Sequence, residues 1–416
     1  MDAHPIATPE QHAHEREALA IFGHPSVREA RERIGAEWLA TAAPGPDMRA
    51  GFEAAFEEVM FSAAVWGLNR DPLRPRIVCI TRLAHPLGDL AIPGSRWGID
   101  NPDSVYRVIP ISGRELYAIR GRVAERRLTE NYFTLWDADM NTIDVLSGHD
   151  LVVDGEGRFE IAVDAAPAKG RPNHIRSTDA AVEFYIRDVL LDWAEDVPND
   201  LAIERLGPPP AGPAPDVDAK ARTVVETMER FASLTRQFVA PMIATAANDF
   251  GLAWSADTAG ALRNQFYIGG NYRLADDEAM VIDVRDGGAA YFTVPTGNIW
   301  GTTFELPGRT STLNKAQSLP NADGTWSFVL SPRDPGVHNW IDPCDTHEGI
   351  LTLRLAEFPG GRPQGELAAA SRVVPLAELR DALPPETKWV TAEERARQRA
   401  ARAAAYARRL PETAAP

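Results

Sequence analysis

Cysteine is nearly missing from this chain: two of 416 residues, Cys79 and Cys344. Two thiols make no disulfide framework, and both read as reduced, buried side chains. Basic residues are in deficit, 43 Lys and Arg against 59 Asp and Glu, for a formal charge of −16. An acidic surface repels phosphate backbones and anionic headgroups, so nucleic acid and membrane are not expected as main partners. No stretch approaches 18 consecutive apolar residues, and no membrane-spanning helix is expected. The N-terminus, Met1-Asp2-Ala3-His4-Pro5, has no basic region followed by an apolar run, so no secretory signal is expected and cytoplasm is the default location. Several catalytic signatures are also missing. There is no Gly-x-Ser-x-Gly elbow. There is no Walker-type phosphate loop, no Gly-x-Gly-x-x-Gly after a strand and no His-Glu-x-x-His. No cofactor and no metal is expected.

What is present is ordinary globular composition, 44% hydrophobic and 25% charged, over a length that suits two or three domains. The first 70 residues have helical periodicity. Ser26 is placed to cap a helix carrying Val27, Ala30, Ile34, Trp38 and Ala42, and a second helix after Pro46-Asp47 carries Phe52, Phe56, Val59, Ala63 and Trp66. From about residue 76 the period changes to two. Short strands are expected at residues 76–80, 105–109, 116–120 and 132–136, and a hairpin at Asp154-Gly155-Glu156-Gly157. Phe184 to Trp193 is ambiguous between strand and helix. The run from Pro208 to Pro215 marks a boundary, since it favours an extended conformation that cannot sit inside a sheet. A helix bearing Val224, Met228, Phe231, Leu234 and Phe238 follows, then a shorter one from Ser255 to about Asn264. Strands return at 280–284, 289–294, 326–330 and 350–355.

The expected class is therefore α+β, predominantly β, with two β-sandwich-like domains, each preceded by helices. The boundaries are an N-terminal helical segment 1–72, a first β-rich domain 73–207, a Pro-rich linker 208–216, a helical segment 217–265, a C-terminal β-sandwich domain 266–385 and a charged helical tail 386–416. In the tail, Thr391 and Glu394 have capping-box spacing, and six arginines lie between Arg395 and Arg409. A solvated helix is the expectation, with self-association through it as the alternative. Both halves run helices first and strands second, without a residue-level match between them.

Several segments carry a resemblance. Tyr272-Arg273-Leu274-Ala275-Asp276-Asp277-Glu278-Ala279 looks like a "Y-R-L-x-x-D-E-A" opening of a sheet, Leu313-Asn314-Lys315-Ala316-Gln317 like "L-N-x-A-Q", and Asp334 to Asp342 like "D-P-G-V-x-N-W-L-D". Together they resemble the bacterial domain-of-unknown-function family 1214. Gly98 to Tyr106 and Ile111 to Gly121 resemble the segment that commonly precedes that domain. The matches cover most of residues 95–360. The resemblance implies a C-terminal β-sandwich and no particular activity.

Three polar clusters are candidate sites. The first is the loop Asp334–Asp342, where His338, Asn339 and Trp340 could bind a ligand. His338, Asp342 and His347 could in principle hold a metal, but their spacing matches no established closed site. The second is Arg96, Trp97, Asp100, Asn101, Asp103, Tyr106 and Arg107, a set able to recognise a carboxylate-bearing or hydroxylated molecule. The third is Arg263, Asn264, Gln265, Tyr267, Asn271, Tyr272 and Arg273, with Asn314 and Lys315 approaching it. The expected catalytic residues are His338 and Asp100. Arg96, Trp97, Asn101, Tyr106, Arg273, Asn314, Asn339 and Trp340 are the expected ligand contacts. Two functions follow: an enzyme acting on a small organic or sugar-like substrate in a cleft between two β domains, or a non-catalytic binding or assembly module with Trp97, Trp300, Trp326 and Trp340 as stacking platforms.

Overall fold

The computed structural model describes residues 4–255 and 265–410. The helix expected from Ser255 to Asn264, with Arg263 and Asn264, falls outside the described residues.

The helices assemble into one layer. α1 (Pro9–Phe22), α2 (Pro25–Ala42), α3 (Pro46–Ala50) and α4 (Phe52–Gly67) precede the first sheet, and α5 (Val217–Ile243) follows the Pro-rich run. The cap of α2 differs from expectation. The helix starts at Pro25, with His24 as its N-cap and no side-chain cap bond. Proline serves well there, because its missing N–H would have had no partner in the first turn. The expected apolar faces are correct: Val27, Ile34 and Trp38 of α2, Phe52, Phe56 and Val59 of α4, and Val224, Met228 and Phe231 of α5 share one core. The two helical segments, separated by about 150 residues of β structure, thus meet in a single cluster rather than forming separate units. Trp300 joins it from the second sandwich, edge-on to Trp38 at 5.8 Å and to Phe52 at 4.7 Å. Each large side chain buried this way contributes about 1.5–3 kcal/mol.

The β structure is two sandwiches. The first uses β1 (Val78–Cys79), β2 (Ser104–Pro110), β3 (Tyr117–Arg122), β4 (Glu130–Trp136), β5 (Thr142–Ser147), β6 (Arg158–Asp164), β7 (His174–Arg176), β8 (Glu183–Val189) and β9 (Asp200–Arg205). The ambiguous segment after Phe184 is therefore a strand at its start. The second sandwich uses β10 (Leu252–Ser255), β11 (Gln265–Arg273), β12 (Glu278–Asp286), β13 (Tyr291–Gly297), β14 (Thr312–Asn314), β15 (Trp326–Leu330), β16 (Trp340–Ile341), β17 (Glu348–Ala356) and β18 (Leu367–Pro375). A two-stranded hairpin, His85–Leu87 with Leu90–Ile92, is an addition to the first.

The strand order is the same in both. The first has sheets β1-β2-β8-β4-β5 and β9-β3-β6-β7; the second has β10-β11-β17-β13-β14 and β18-β12-β15-β16. Each strand n corresponds to strand n + 9. The agreement extends to direction, since β6 with β7 and β15 with β16 are parallel pairs. The class expected from the sequence, α+β with two sandwiches, is the one observed.

Both five-stranded sheets are covered on both faces. Inward, Phe133, Leu135, Phe184 and Ile186 fill the first sandwich, and Phe292, Leu351, Leu353 and Leu355 the second. Outward, the two five-stranded sheets face each other. Val189 meets Tyr291 and Ala356 in one small cluster, and Gln265 of β11 hydrogen-bonds Glu130 of β4. After the short α6 (Leu379–Ala382) comes helix α7 (Ala392–Ala407), with the expected capping box of Thr391 and Glu394 in place. It is not a solvated tail. Arg395, Arg402 and Arg409 are buried against the chain's own body, Arg402 bonding the Leu306 carbonyl and Arg409 the Pro102 carbonyl. Among the described residues no helix is long and apolar enough to cross a membrane.

Candidate functional site between the sandwiches

Strand alternation sets the chemistry of the cleft. Residues directly opposite in neighbouring strands share a face. In the first sandwich, Tyr106, Arg187 and Tyr132 stand side by side across β2, β8 and β4. In the second, Trp254, Tyr267, Arg354 and Thr293 do so across β10, β11, β17 and β13. Arg187 and Arg354 thus occupy equivalent strands, β8 and β17, and each has a tyrosine of the equivalent strand, β2 or β11, beside it. Both arginines are buried, at 1% and 7% exposure. The Arg187 guanidinium lies 5.2 Å from the Tyr132 ring and that of Arg354 lies 5.9 Å from the Tyr267 ring.

Hydrogen bonds close one end of the cleft. Glu130 pairs with Arg187 and accepts from Gln265 Nε2 at 3.0 and 3.1 Å, and Tyr267 donates to Gln265 Oε1 at 2.5 Å. Burial pushes the Glu130 carboxyl up from the ordinary carboxylate range, against the pull of Arg187. Beside it, Asp103 is fully buried and accepts from Trp193 Nε1 at 2.7 Å, Asn314 Nδ2 at 2.8 Å and Tyr291 OH at 2.9 Å. Asn101 Nδ2 also donates to Tyr291 OH, at 2.8 Å.

The other end is less complete. Tyr185, next to Arg187 on the same face of β8, stacks on Trp136 at 4.2 Å and leans on Tyr106 at 5.3 Å. It keeps part of its surface accessible although helices and the second sandwich cover this sheet face. Burial drives its phenol well above the ordinary value, so it is neutral. Several buried donors of this region have no hydrogen-bond acceptor: Nη1 and Nη2 of Arg187, Nε of Arg354, the Thr352 hydroxyl and Nε1 of Trp136. Among the described residues Arg354 has no carboxylate partner; its Nη2 donates to the Ile99 carbonyl.

The sequence-predicted residues do not converge. Tyr106 lies in the cleft wall. Arg96, Trp97, Asp100, Asn101 and Asn314 surround the cleft as scaffold. Arg96 pairs with Glu58 at 2.7 Å and donates to the Thr303 and Phe304 carbonyls. Trp97 stacks on Phe231 at 3.7 Å and donates to Thr235. Asp100 accepts from Thr303 on both oxygens, from its amide at 2.8 Å and from its hydroxyl at 2.7 Å, which ties the buried carboxylate to the Thr303 segment. His338 stands elsewhere, on the loop before β16, with its backbone bonded to Lys388 and its ring near the Gln317 carbonyl at 3.3 Å. Burial lowers its pKa. A catalytic pair of His338 and Asp100 is therefore not assembled. Asn339 ties Leu319 and Ser327 backbone groups, and Trp340 is buried under Arg395 and Arg399. Arg273 is a surface residue facing Glu348 at 3.5 Å. His338, Asp342 and His347 have separate partners. Asp342 holds Arg309 at 2.6 Å, and His347 holds Asp276 and Asp47. Trp300, Trp326 and Trp340 are buried, which rules out a row of exposed stacking platforms.

Sequence reasoning overlooked Glu130, Tyr185, Arg187, Thr352 and Arg354. The available signal was an arginine within each of two strands that are otherwise mostly apolar or aromatic, Glu183–Val189 and Glu348–Ala356.

Among solved structures, the chain is similar to an uncharacterized protein from Burkholderia cenocepacia, with a TM-score of 0.72 at 24% identity over 86% of this chain and 99% of that one. That likeness shows the fold. A Vibrio parahaemolyticus protein aligns at 10% identity over 66% of this chain and 90% of that one, with a TM-score of 0.39. No family model and no curated protein matches the chain.

Proposed function

We propose that this protein binds a small anionic organic molecule between its two sandwiches. Arg187 and Arg354 hold the acidic group, and Tyr106, Tyr185 and Tyr267 pack on its body. The observation that carries this reading is the set of buried, acceptor-less donors on the facing sheets, Arg187 Nη1 and Nη2, Arg354 Nε, Thr352 Oγ1 and Trp136 Nε1. Leaving one buried donor unsatisfied costs about 1–3 kcal/mol, more when it is charged, so several together point to an absent acceptor. Guanidinium groups suit a carboxylate or a similar planar oxyanion. The charge balance favours one acidic group: Glu130 offsets Arg187, and Arg354 is left over.

Binding is supported over acid–base catalysis. Glu130, Asp100 and Asp103 each have both oxygens engaged. Kinship with the 1214 family belongs to the same proposal. Its motifs fall where β11 turns into β12, at the end of β14 and in the loop before β16, so they maintain the second sandwich, and Asn314 secures the cleft through Asp103.

The test is a thermal-shift and calorimetric screen of benzoate, acetate, succinate and glucuronate against benzamide and glucose as neutral controls. An acid is expected to bind, and Arg354→Gln to weaken it at least about tenfold, the worth of a charge-assisted bond. Arg354 is the better target because replacing Arg187 strands Glu130. Binding of the neutral controls alone, or an unchanged affinity in a folded Arg354→Gln protein, overturns the reading.

A further inference from the structure

We infer that a single halide ion, such as chloride, binds in a small, partly enclosed cavity beneath the C-terminal end of α7 and fastens that end to the first sandwich. The site is separate from the cleft between the sandwiches. The cavity measures about 10 Å³ and is lined by Ile6, Cys79, Arg82, Ser104, Tyr406 and Arg409, among others. That is room for one water-sized occupant and excludes a carboxylate or phosphate.

The walls decide which occupant. Among the described residues, five buried polar atoms of the lining have no hydrogen-bond partner: Nε and Nη2 of Arg82, Nε and Nη2 of Arg409, and the Ser104 hydroxyl. Four of the five can only donate, and the fifth can. A water molecule accepts two such bonds at most and must then place its own two hydrogens on acceptors. For those hydrogens the lining offers the weakly accepting Cys79 sulfur, whose own S–H is directed at the Thr81 carbonyl, and the Ser104 and Tyr406 hydroxyls. A spherical anion accepts from every donor at once and has no hydrogens to place.

The charge agrees. Arg82 is bonded to Glu15 through Nη1, which is also near His85 at 3.3 Å. Among the described residues Arg409 has no carboxylate in contact: Nη1 donates to the Pro102 carbonyl at 2.6 Å, and its guanidinium lies over Trp193 at 4.8 Å and Tyr406 at 4.7 Å. Asp103 acts on it only at a distance, with its own oxygens bound to Trp193, Asn314 and Tyr291. Burial accordingly lowers the Arg409 pKa. A buried cation without a counter-ion is costly, and one monovalent anion between Arg82 and Arg409 removes that cost.

The experiment uses the full chain. Crystals grown in sodium bromide are measured at the bromine absorption edge, and thermal unfolding is followed in about 100 mM sodium chloride or sodium gluconate at equal ionic strength. The expected results are an anomalous peak between Arg82 and Arg409 and a Tm about 1–3 °C higher in chloride. Arg409→Gln is expected to abolish the chloride dependence, and Ser104→Ala, which removes a single hydroxyl, to reduce it. A water without anomalous signal in the cavity, or an equal chloride effect in wild type and both variants, overturns the site.

Discussion

Asp103 joins segments that are far apart in the chain. Its carboxylate receives bonds from Trp193 after β8, Asn314 at the end of β14 and Tyr291 at the start of β13, so one side chain links both sandwiches. Replacing it by Ala removes the acceptor of three buried donors. Asp103→Ala is expected to lower stability by roughly 2–4 kcal/mol, read from urea unfolding monitored by tryptophan fluorescence, whereas Asp103→Asn, which keeps an acceptor oxygen, loses less. Asp103 and Asn314 were legible in the sequence, the first from a dense run of polar and aromatic residues and the second from a motif. Arg187 and Arg354 were not. In a strand, a charged residue alternating with apolar ones signals a face turned to water. Here the facing sheet covers that face, and nothing local in Glu183–Val189 or Glu348–Ala356 reports a partner more than 150 residues away. Tyr106 and Tyr267 were picked out in separate clusters, and only the fold shows that they belong together.

At the scale of elements, periodicity was a good guide and termini less so. The apolar faces of α2, α4 and α5 are those expected, since 3.6-residue spacing reports burial directly. The start of α2 was misplaced because Pro25 at the first position outweighed Ser26 as a cap. The arginine-rich helix was misjudged for a related reason. Arg395, Arg399, Arg402 and Arg409 lie over the rings of Trp340 and Trp193, and a guanidinium packed on an aromatic face is as fit for an interior as for a surface. Elements are also tied by His347, whose ring sits between Asp276, before β12, and Asp47 of α3. Both carboxylates, Asp276 first, raise its pKa above the ordinary value. Its contribution is therefore complete below the unfolded pKa, near 6.5, and is lost as pH rises through the folded one. The ring is half exposed, so the effect is small. NMR titration of His347 is expected to give an elevated pKa that falls toward the ordinary value in Asp276→Asn; an unshifted wild-type ring would contradict the contact.

At the scale of the molecule, the two-sandwich class was legible and the relation between the sandwiches was not. Strand counts and turn signals report how much β structure there is. Strand order depends on pairings such as β2 with β8, about 80 residues apart, which leave no local trace. Two nine-strand sandwiches of one strand order face each other through equivalent five-stranded sheets, as two subunits of a homodimer meet through one shared face. The seam is close to symmetric, with one Tyr–Arg pair from each sandwich, Tyr106–Arg187 and Tyr267–Arg354, and it departs from symmetry where Tyr185 of β8 corresponds to Thr352 of β17. Such a seam does not need a continuous chain. Severed within the exposed Pro208–Pro215 run and co-expressed as two polypeptides, the halves are expected to co-purify as a 1:1 heterodimer on size-exclusion chromatography; halves that elute apart would show that the join, rather than the seam, now holds them.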